Sequence, residues 1–213
     1  MRSETAVVFV IDDDPAMRVS IESLLRSVGH SVRSFGSPAE FLGTPPHDGP
    51  GCLVLDVRLP GISGLEFQRE LKLTLRTIPV VFITGHGDVP MSVAAMKAGA
   101  IEFLTKPFRD QDLLDAVHRG LAIHAVRDAQ ARADAELAGR FETLTPRERE
   151  ILPLVTSGLM NKQIAAELQL SEVTVKVHRA QVMQKLQATS LADLVRLSDR
   201  ILDIVAKRRT GDT

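Results

Sequence analysis

Three aspartates in a row, Asp12, Asp13 and Asp14, follow the apolar run Val7 to Ile11, and a fourth, Asp56, ends the apolar run that begins at Cys52. Carboxylates held this close to a core repel one another and resist ionisation unless a positive group joins them. Two more polar side chains close apolar runs in the same manner: Thr84 after Val80 to Ile83, and Lys106 after Ile101 to Leu104. Such a set of oxygen donors calls for a hard divalent cation, Mg²⁺ with Mn²⁺ as an alternative, and Lys106 supplies a second positive charge. A carboxylate, a metal and an ammonium around one cavity suit a phosphoryl group carried on an aspartate. Asp14 stands apart from the set, because an Asp before Pro15 reads as a helix N-cap with proline at the first helical position.

These positions meet only if the runs are strands of one sheet. From residue 6 to about 122 short apolar runs alternate with helical patterns, which predicts a parallel sheet covered by helices on both faces. The strands are expected at Val7 to Ile11, Ser31 to Phe35, Cys52 to Leu55, Val80 to Ile83 and Ile101 to Leu104. Amphipathic segments lie between them at Ala16 to Val28, Ser63 to Leu73, Pro90 to Ala98 and Asp110 to Ile123. The expected fold class is α/β, a flavodoxin-like (βα)5 domain of strand order 2-1-3-4-5, whose functional crevice lies outside the carboxyl ends of the strands. That rule selects the positions of Asp12, Asp13, Asp56, Thr84 and Lys106.

Composition bounds the rest. With 213 residues, 44% of them hydrophobic, two domains can each bury a core. The balance of 26 basic and 27 acidic residues demands neither nucleic acid nor membrane globally, so any charged surface must be local. A single cysteine, Cys52, excludes a disulfide framework and reads as a small buried residue of a reducing compartment. The N-terminus lacks the pattern of a signal peptide and no apolar run approaches the ~20 residues of a membrane span. A soluble, cytoplasmic protein without membrane attachment is the expectation.

Beyond residue 123 the texture changes. Residues 123–141 are rich in Ala, Asp, Glu and Arg, and read as a solvated helical linker that prolongs the helix before it. Residues 142–213 show only helical patterns, so an all-α domain should follow the α/β domain of residues 1–122. Thr145, Pro146 and Glu148 form a capping box at its start. Two helices joined by the short turn LQLS, the second opened by Ser171, fit a helix-turn-helix whose second helix enters the major groove. On that helix Val175, His178, Val182 and Leu186 share the core face. Thr174, Lys176, Val177, Ala180 and Gln181 are left toward solvent or DNA, with Val177 placed to meet a thymine methyl. Asn161, Lys162, Arg179 and Lys185 are candidate phosphate contacts, a solvated face being the alternative for Lys185.

The motifs IDDD, LVLDVRLPGISG, TGHGD and FLTKPF resemble the receiver domain of bacterial two-component response regulators. LTPREREIL, GLMNKQIA and SEVTVKVHR resemble the LuxR-type DNA-binding domain, and the pair of domains resembles the NarL/FixJ class, in its FixJ-like branch. The resemblance implies Asp56 as phosphoacceptor, and Asp13, Asp56 and the Arg58 backbone carbonyl as metal ligands, with Asp12 acting through metal-bound water. It further implies Thr84 as the switch hydroxyl, Lys106 as a phosphate-binding lysine, Phe103 as the aromatic that follows Thr84, and a cis bond before Pro107. Arg58 and Ala180 depart from the residues of some relatives.

The function so implied is a transcription regulator, activation being its expected sense. A sensor histidine kinase phosphorylates Asp56, a homodimer forms, and double-stranded DNA with paired half-sites is bound. Val89, Pro90 and Met91 offer one candidate dimer surface, and Leu191, Leu194 and Val195 another, on a last helix resembling the family's dimerisation helix. Recognition helices of two subunits would then stand about 34 Å apart, one turn of duplex. RNA polymerase is a further implied partner, and the only chemistry expected is self-phosphorylation with slow hydrolysis at Asp56. Two other readings remain open on sequence: a receiver that works as a constitutive interaction module without phosphate, and a metal-dependent phosphatase using Asp56 as nucleophile.

Overall fold

The computed structural model describes residues 6–73 and 78–211, so the outermost residues of the expected domains lie outside the described residues. The first unit is a five-stranded sheet of β1 (Val7–Ile11), β2 (Ser31–Phe35), β3 (Gly51–Asp56), β4 (Val80–Thr84) and β5 (Glu102–Thr105). All neighbours pair in parallel in the order β2-β1-β3-β4-β5, as the alternating pattern predicts. Ile11 pairs with Leu55, Asp56 with Ile83 and Thr84 with Thr105, so this register alone sets the residues that follow the strands side by side. β3 and β4 extend one residue further than their apolar runs, taking in Asp56 and Thr84, and β5 is shifted by one. Main-chain pairing, rather than hydropathy, decides where a strand stops.

Side chains alternate between the two sheet faces, as strand geometry requires. Phe9, Leu53, Leu55 and Phe82 lie in one core with α2 (Pro38–Leu42), α3 (Gly64–Leu73) and α4 (Val89–Lys97), through Phe41, Phe67, Leu71 and Ala95. Val8, Val10, Val54, Val81 and Ile83 lie in the other, against α1 (Pro15–Ser27) and the helix that begins at Asp110. Each fully buried aliphatic side chain of this kind contributes about 1.5–3 kcal/mol of transfer free energy. Asp14 caps α1, its carboxylate accepting the Ala16 N–H at 2.9 Å, with Pro15 next.

Two glycines answer to close approach. A Cβ on Gly64 would lie 2.3 Å from the Asp56 carbonyl oxygen, while the Gly64 N–H donates to the Val57 carbonyl at 2.9 Å, so the start of α3 is pressed onto the end of β3. A Cβ on Gly120 would lie 2.5 Å from the Cys52 sulfur, which marks where the helix that begins at Asp110 seats on β3. Cys52 is fully buried and its thiol is pushed up to about 12 by burial, so it is a packing group with no thiolate chemistry.

α5 runs unbroken from Asp110 to Glu142, and the two compact units of the chain divide between Ala129 and Gln130, within it. Val126 is exposed, but Leu137 is buried in the second core, Ala138 is buried next to it in sequence, Phe141 packs on that core, and Arg200 Nε donates to Asp134 at 2.6 Å. Leu137 and Phe141 are four apart and share a face; two large apolar groups were too sparse to register as a pattern. Where α5 leaves the sheet, His124 Nδ1 accepts the Gly51 N–H at 2.7 Å.

The second unit adds α6 (Pro146–Thr156), α7 (Asn161–Leu168), α8 (Glu172–Lys185) and α9 (Leu191–Gly211) around Ile151, Ile164, Val175, Val182, Leu186, Leu194 and Ile201. The capping box at Thr145 and Glu148 is present, and Gln169 ends α7 in the left-handed conformation, φ 55°, which turns the chain toward α8. No helix of the described residues is long and apolar enough to cross a membrane.

Two outcomes are expected. Gly64→Ala should lower the unfolding free energy of the first unit, read from urea titration, by about 1–3 kcal/mol, because backbone rather than a flexible side chain must move. Burial holds His124 below the ordinary histidine value, with Asp128 opposing and Arg127 and His47 reinforcing. Above about 6.5, where an unfolded histidine is neutral, its contribution is complete; as pH falls through the lower folded value, protonation of Nδ1 removes the acceptor and stability is lost. In urea titrations across this range His124→Asn should lose less stability than the parent, with His30, also lowered by burial and by His118, accounting for what remains. An identical pH profile in the variant would contradict the assignment.

Candidate functional site

At the carboxyl edge of the sheet Lys106 Nζ donates to Asp12 Oδ2 and to Asp56 Oδ2, each at 2.7 Å. Asp12 is fully buried; its Oδ1 accepts the Asp14 N–H at 2.9 Å, and its carbonyl accepts Arg18 Nη1 at 2.7 Å. Asp56 is buried as well, with Oδ1 accepting the Arg58 N–H at 3.0 Å, while the Arg58 side chain is exposed. Asp13 is exposed at the mouth. The sequence expectation that these residues converge, from strand ends as far apart as Asp12 and Lys106, corresponds to the observed geometry.

Charge in this cluster is unbalanced. Burial, together with the Asp56 carboxylate, raises the Asp12 carboxyl above the ordinary aspartate range, although Lys106 and the Asp14 N–H draw it down. Burial would discharge Lys106, but its bonds to Asp12 and Asp56 outweigh it and hold the ammonium above the ordinary lysine value. One ammonium thus serves two buried acids. An oxygen from each of Asp12, Asp13 and Asp56 lies within 4.8 Å of the others, and this all-oxygen, charge-deficient set fits a hard divalent cation. Asp12 and Asp56 are matched in their partners, Lys106 and one backbone N–H each, and Asp13 is the exposed member of the three.

Thr84 and Phe103 stand beside this crevice. Thr84 is fully buried, its Oγ1 accepting the His86 N–H at 3.3 Å, and the Lys106 N–H donates to the Thr84 carbonyl at 2.7 Å. Phe103 is half-buried with its ring centroid 6.3 Å from that of Phe82. A Cβ on Gly87 would lie 2.9 Å from Phe103 Cε1 and 3.1 Å from Thr84 Cγ2, so the β4–α4 loop covers both side chains. The Lys106–Pro107 bond is cis, as the resemblance implied.

On the second unit α7 and α8 form the two-helix arrangement. Lys162, Lys176, Val177 and Gln181 are exposed, and Thr174 is half-buried, its hydroxyl 2.8 Å from that of Ser171. Arg179 Nη1 donates to Asn161 Oδ1 at 3.2 Å, which ties α8 to the start of α7. Lys185 needs correction as a phosphate contact. Its ammonium donates to the fully buried Glu148 Oε2 at 2.7 Å and to the Thr143 carbonyl at 3.2 Å. Burial would raise the Glu148 carboxyl, but Lys185 and the Thr145 N–H outweigh it and hold it below the ordinary glutamate range. Lys185 closes a buried ion pair under the capping box.

Among the dimer candidates, Val89 and Pro90 are exposed, whereas Met91 is half-buried against the sheet core. Val93 and Met96, four and seven residues past Val89 and exposed, complete an apolar strip on α4 that helix spacing alone could have revealed. Leu194 is corrected: it is fully buried among Ile151, Val182 and Leu186 of its own domain. Leu191 is exposed and Val195 half-buried, with exposed Leu202 further along α9.

Residues 8–118 match the response regulator receiver domain, and residues 142–198 the luxR family of bacterial regulatory proteins. Nodulation protein W of Bradyrhizobium diazoefficiens is 54% identical over 199 residues, 93% of this chain and 88% of that protein. Response regulator protein TodT of Pseudomonas putida is 45% identical over 203 residues, 95% and 89% of the two chains. Among solved structures, response regulator StyR matches with a TM-score of 0.86 and 51% identity, over 92% of this chain and 99% of that one. Full-length FixJ from B. japonicum matches with a TM-score of 0.53 and 43% identity, over 92% and 96%. A receiver domain implies a histidine kinase partner and Mg²⁺ at an acidic pocket, here Asp12, Asp13 and Asp56, and a LuxR-type helix-turn-helix implies DNA. The chain belongs to the two-component response regulators of FixJ-like organisation, transcription regulators in which a receiver domain precedes a LuxR-type DNA-binding domain.

Proposed function

We propose that phosphoryl transfer from a kinase phosphohistidine to Asp56 switches this regulator into a dimer that binds paired DNA half-sites and activates transcription. The observation that carries the proposal is Lys106, held 2.7 Å from both Asp12 and Asp56 at the carboxyl edge of the sheet. An Asp56 carboxylate oxygen attacks phosphorus, the P–N bond breaks, and the released imidazole nitrogen takes up a proton. The Arg58 N–H and Lys106 orient the carboxylate, and Lys106 meets the charge that arrives on the phosphoryl oxygens. Asp13, Asp56 and the Arg58 carbonyl would hold Mg²⁺, with Asp12 assisting through water; Mg²⁺ or Mn²⁺ when bound neutralises charge on those oxygens.

Thr84 then exchanges its contact with the His86 N–H for donation to a phosphoryl oxygen. Phe103, wedged against Thr84 by Gly87, follows it. The adjoining strip of Val89, Pro90, Val93 and Met96, with Met91 at its inner edge, becomes the receiver dimer surface. Leu191 and Val195 contribute a second contact on α9. Lys162, Lys176, Val177, Gln181, Thr174 and the Asn161–Arg179 pair face DNA, and RNA polymerase is recruited from there. The receiver extends over residues 1–122; of the stretch 123–141 the part from Gln130 folds with residues 142–213.

Incubation with acetyl phosphate and Mg²⁺ should add one phosphoryl mass to the intact chain, shift it to a dimer on a sizing column, and raise affinity for a paired site by about a hundredfold. Asp56→Asn should show none of the three. Phosphoryl mass without a change in assembly or affinity would sink the switch while leaving the chemistry. Removing the exposed charge of the cluster by Asp13→Asn should raise stability in chelator by on the order of 1 kcal/mol. The same variant should no longer be stabilised by Mg²⁺ in a thermal melt.

A further inference from the structure

Arg18 is the fourth residue of α1 and is half-buried. Helical side chains lean toward the N-terminus of their own helix, so an arginine at this place reaches back over the residues that precede it. Its Nη1 donates to the Asp12 carbonyl at 2.7 Å. A Cβ on Gly36 would lie 3.6 Å from the same nitrogen, so the guanidinium is lodged between the start of α1 and the turn that follows β2.

With that bond every polar group of Asp12 has a partner. Its N–H donates to the Phe35 carbonyl at 3.3 Å, Oδ1 and Oδ2 accept the Asp14 N–H and Lys106 Nζ, and the carbonyl accepts Arg18. The carbonyl is the group that bears on the next residue. A peptide unit is planar, so a fixed Asp12 carbonyl fixes the Asp13 N–H and the axis from which the Asp13 side chain springs. β1 ends at Ile11, so strand register does not hold Asp13, and its side chain is exposed. One of its carboxylate oxygens nevertheless lies within 4.8 Å of those of Asp12 and Asp56. Arg18 also brings positive charge to this acid-rich edge by way of the main chain. A cation bonded to a carboxylate competes with a metal for its oxygens, whereas one bonded to a carbonyl leaves them available.

We propose that Arg18 is a positioning residue of the metal site: through the Asp12 carbonyl it presets the Asp13 carboxylate against those of Asp12 and Asp56 for a divalent cation. Groups that orient a ligand without touching the metal are worth about ten- to a hundredfold in metal affinity. The inference rests on the Mg²⁺ reading above and adds the residue that sets the site in advance. α1 supplies its own comparison. Arg26 Nη2 donates to the Val32 carbonyl at 3.2 Å, the same kind of bond from the same helix, but onto β2 and away from the acids.

The test uses the full chain and reads the metal directly. Mn²⁺ is titrated and its free-ion magnetic resonance signal followed, and Mg²⁺ is titrated against the thermal melt, each variant being referred to its own melt in chelator. Arg18→Met, which keeps the apolar stem and removes the donors, should bind both ions about tenfold more weakly. Its phosphorylation by acetyl phosphate should need about tenfold more Mg²⁺ for half the maximal rate and should recover as Mg²⁺ is raised. Arg18→Lys, which retains a donor and the charge, should bind both ions more tightly than Arg18→Met. Arg26→Met, which also loses a helix-to-carbonyl bond, should melt lower in chelator and bind both ions as the parent does. Unchanged metal affinity in Arg18→Met, or an equal loss in Arg26→Met, overturns the inference and leaves Arg18 as packing between α1 and the loop. If the parent takes up no phosphoryl group while Arg18→Met still loses metal affinity, the inference stands and the phosphorylation reading falls. A parent that binds neither ion overturns the metal reading and this inference with it.

Discussion

A single ammonium shared between two buried carboxylates is the constraint around which the first unit is organised. Lys106 balances one charge of Asp12 and Asp56 and leaves the other, with Asp13 adding a third at the mouth. Such a set is costly to keep ionised in a partly desolvated crevice, so the fold must hold it by means other than its own attraction. The means are visible in the backbone. Parallel register puts Asp12 beside Asp56, the Lys106 N–H is anchored on the Thr84 carbonyl, and α3 is pressed onto the Asp56 carbonyl where only Gly64 fits. Sheet cores on both faces supply the stabilisation that the crevice withholds.

The second unit contains the opposite case. Glu148 is buried too, but it has Lys185 as an equal partner and the Thr145 N–H as a further donor, and its carboxyl is held below the ordinary range. That pair is closed: every charge has its counterpart and nothing remains to recruit a ligand. Asp12 moves the other way under burial. The contrast is between a pair in which each charge has its counterpart and a buried cluster in which negative charge is left unmatched.

The same contrast shows what could be read from the chain and what could not. Asp12, Asp56, Thr84 and Lys106 were legible because each ends an apolar run, and a parallel sheet brings run ends together whatever the loops between them do. Lys185 and Leu194 were misplaced because their surroundings are set by other helices. The depth of Lys185 depends on Glu148, thirty-seven residues earlier, and the burial of Leu194 on how α9 crosses α6 and α8. Periodicity identifies a helix face but not the neighbour against which it turns. Leu137 escaped for a related reason, since its burial needs the second core to be present, and its own segment is too sparse in apolar groups to announce a face.

With Lys185 occupied internally and Arg179 bonded to Asn161, Lys162 and Lys176 are the exposed lysines of α7 and α8 that remain for phosphates. Affinity from phosphate contacts scales with the number of cations engaged, and a chain of net charge -1 adds no long-range attraction. A half-site therefore offers one subunit little beyond what its base contacts supply. Joining two such weak modules multiplies their affinities through effective concentration, whereas joining two strong ones would leave the unjoined form already bound. In the proposed switch, weak cationic contact in the helix-turn-helix is thus the condition under which a charge event at Asp56 would govern occupancy of DNA through assembly.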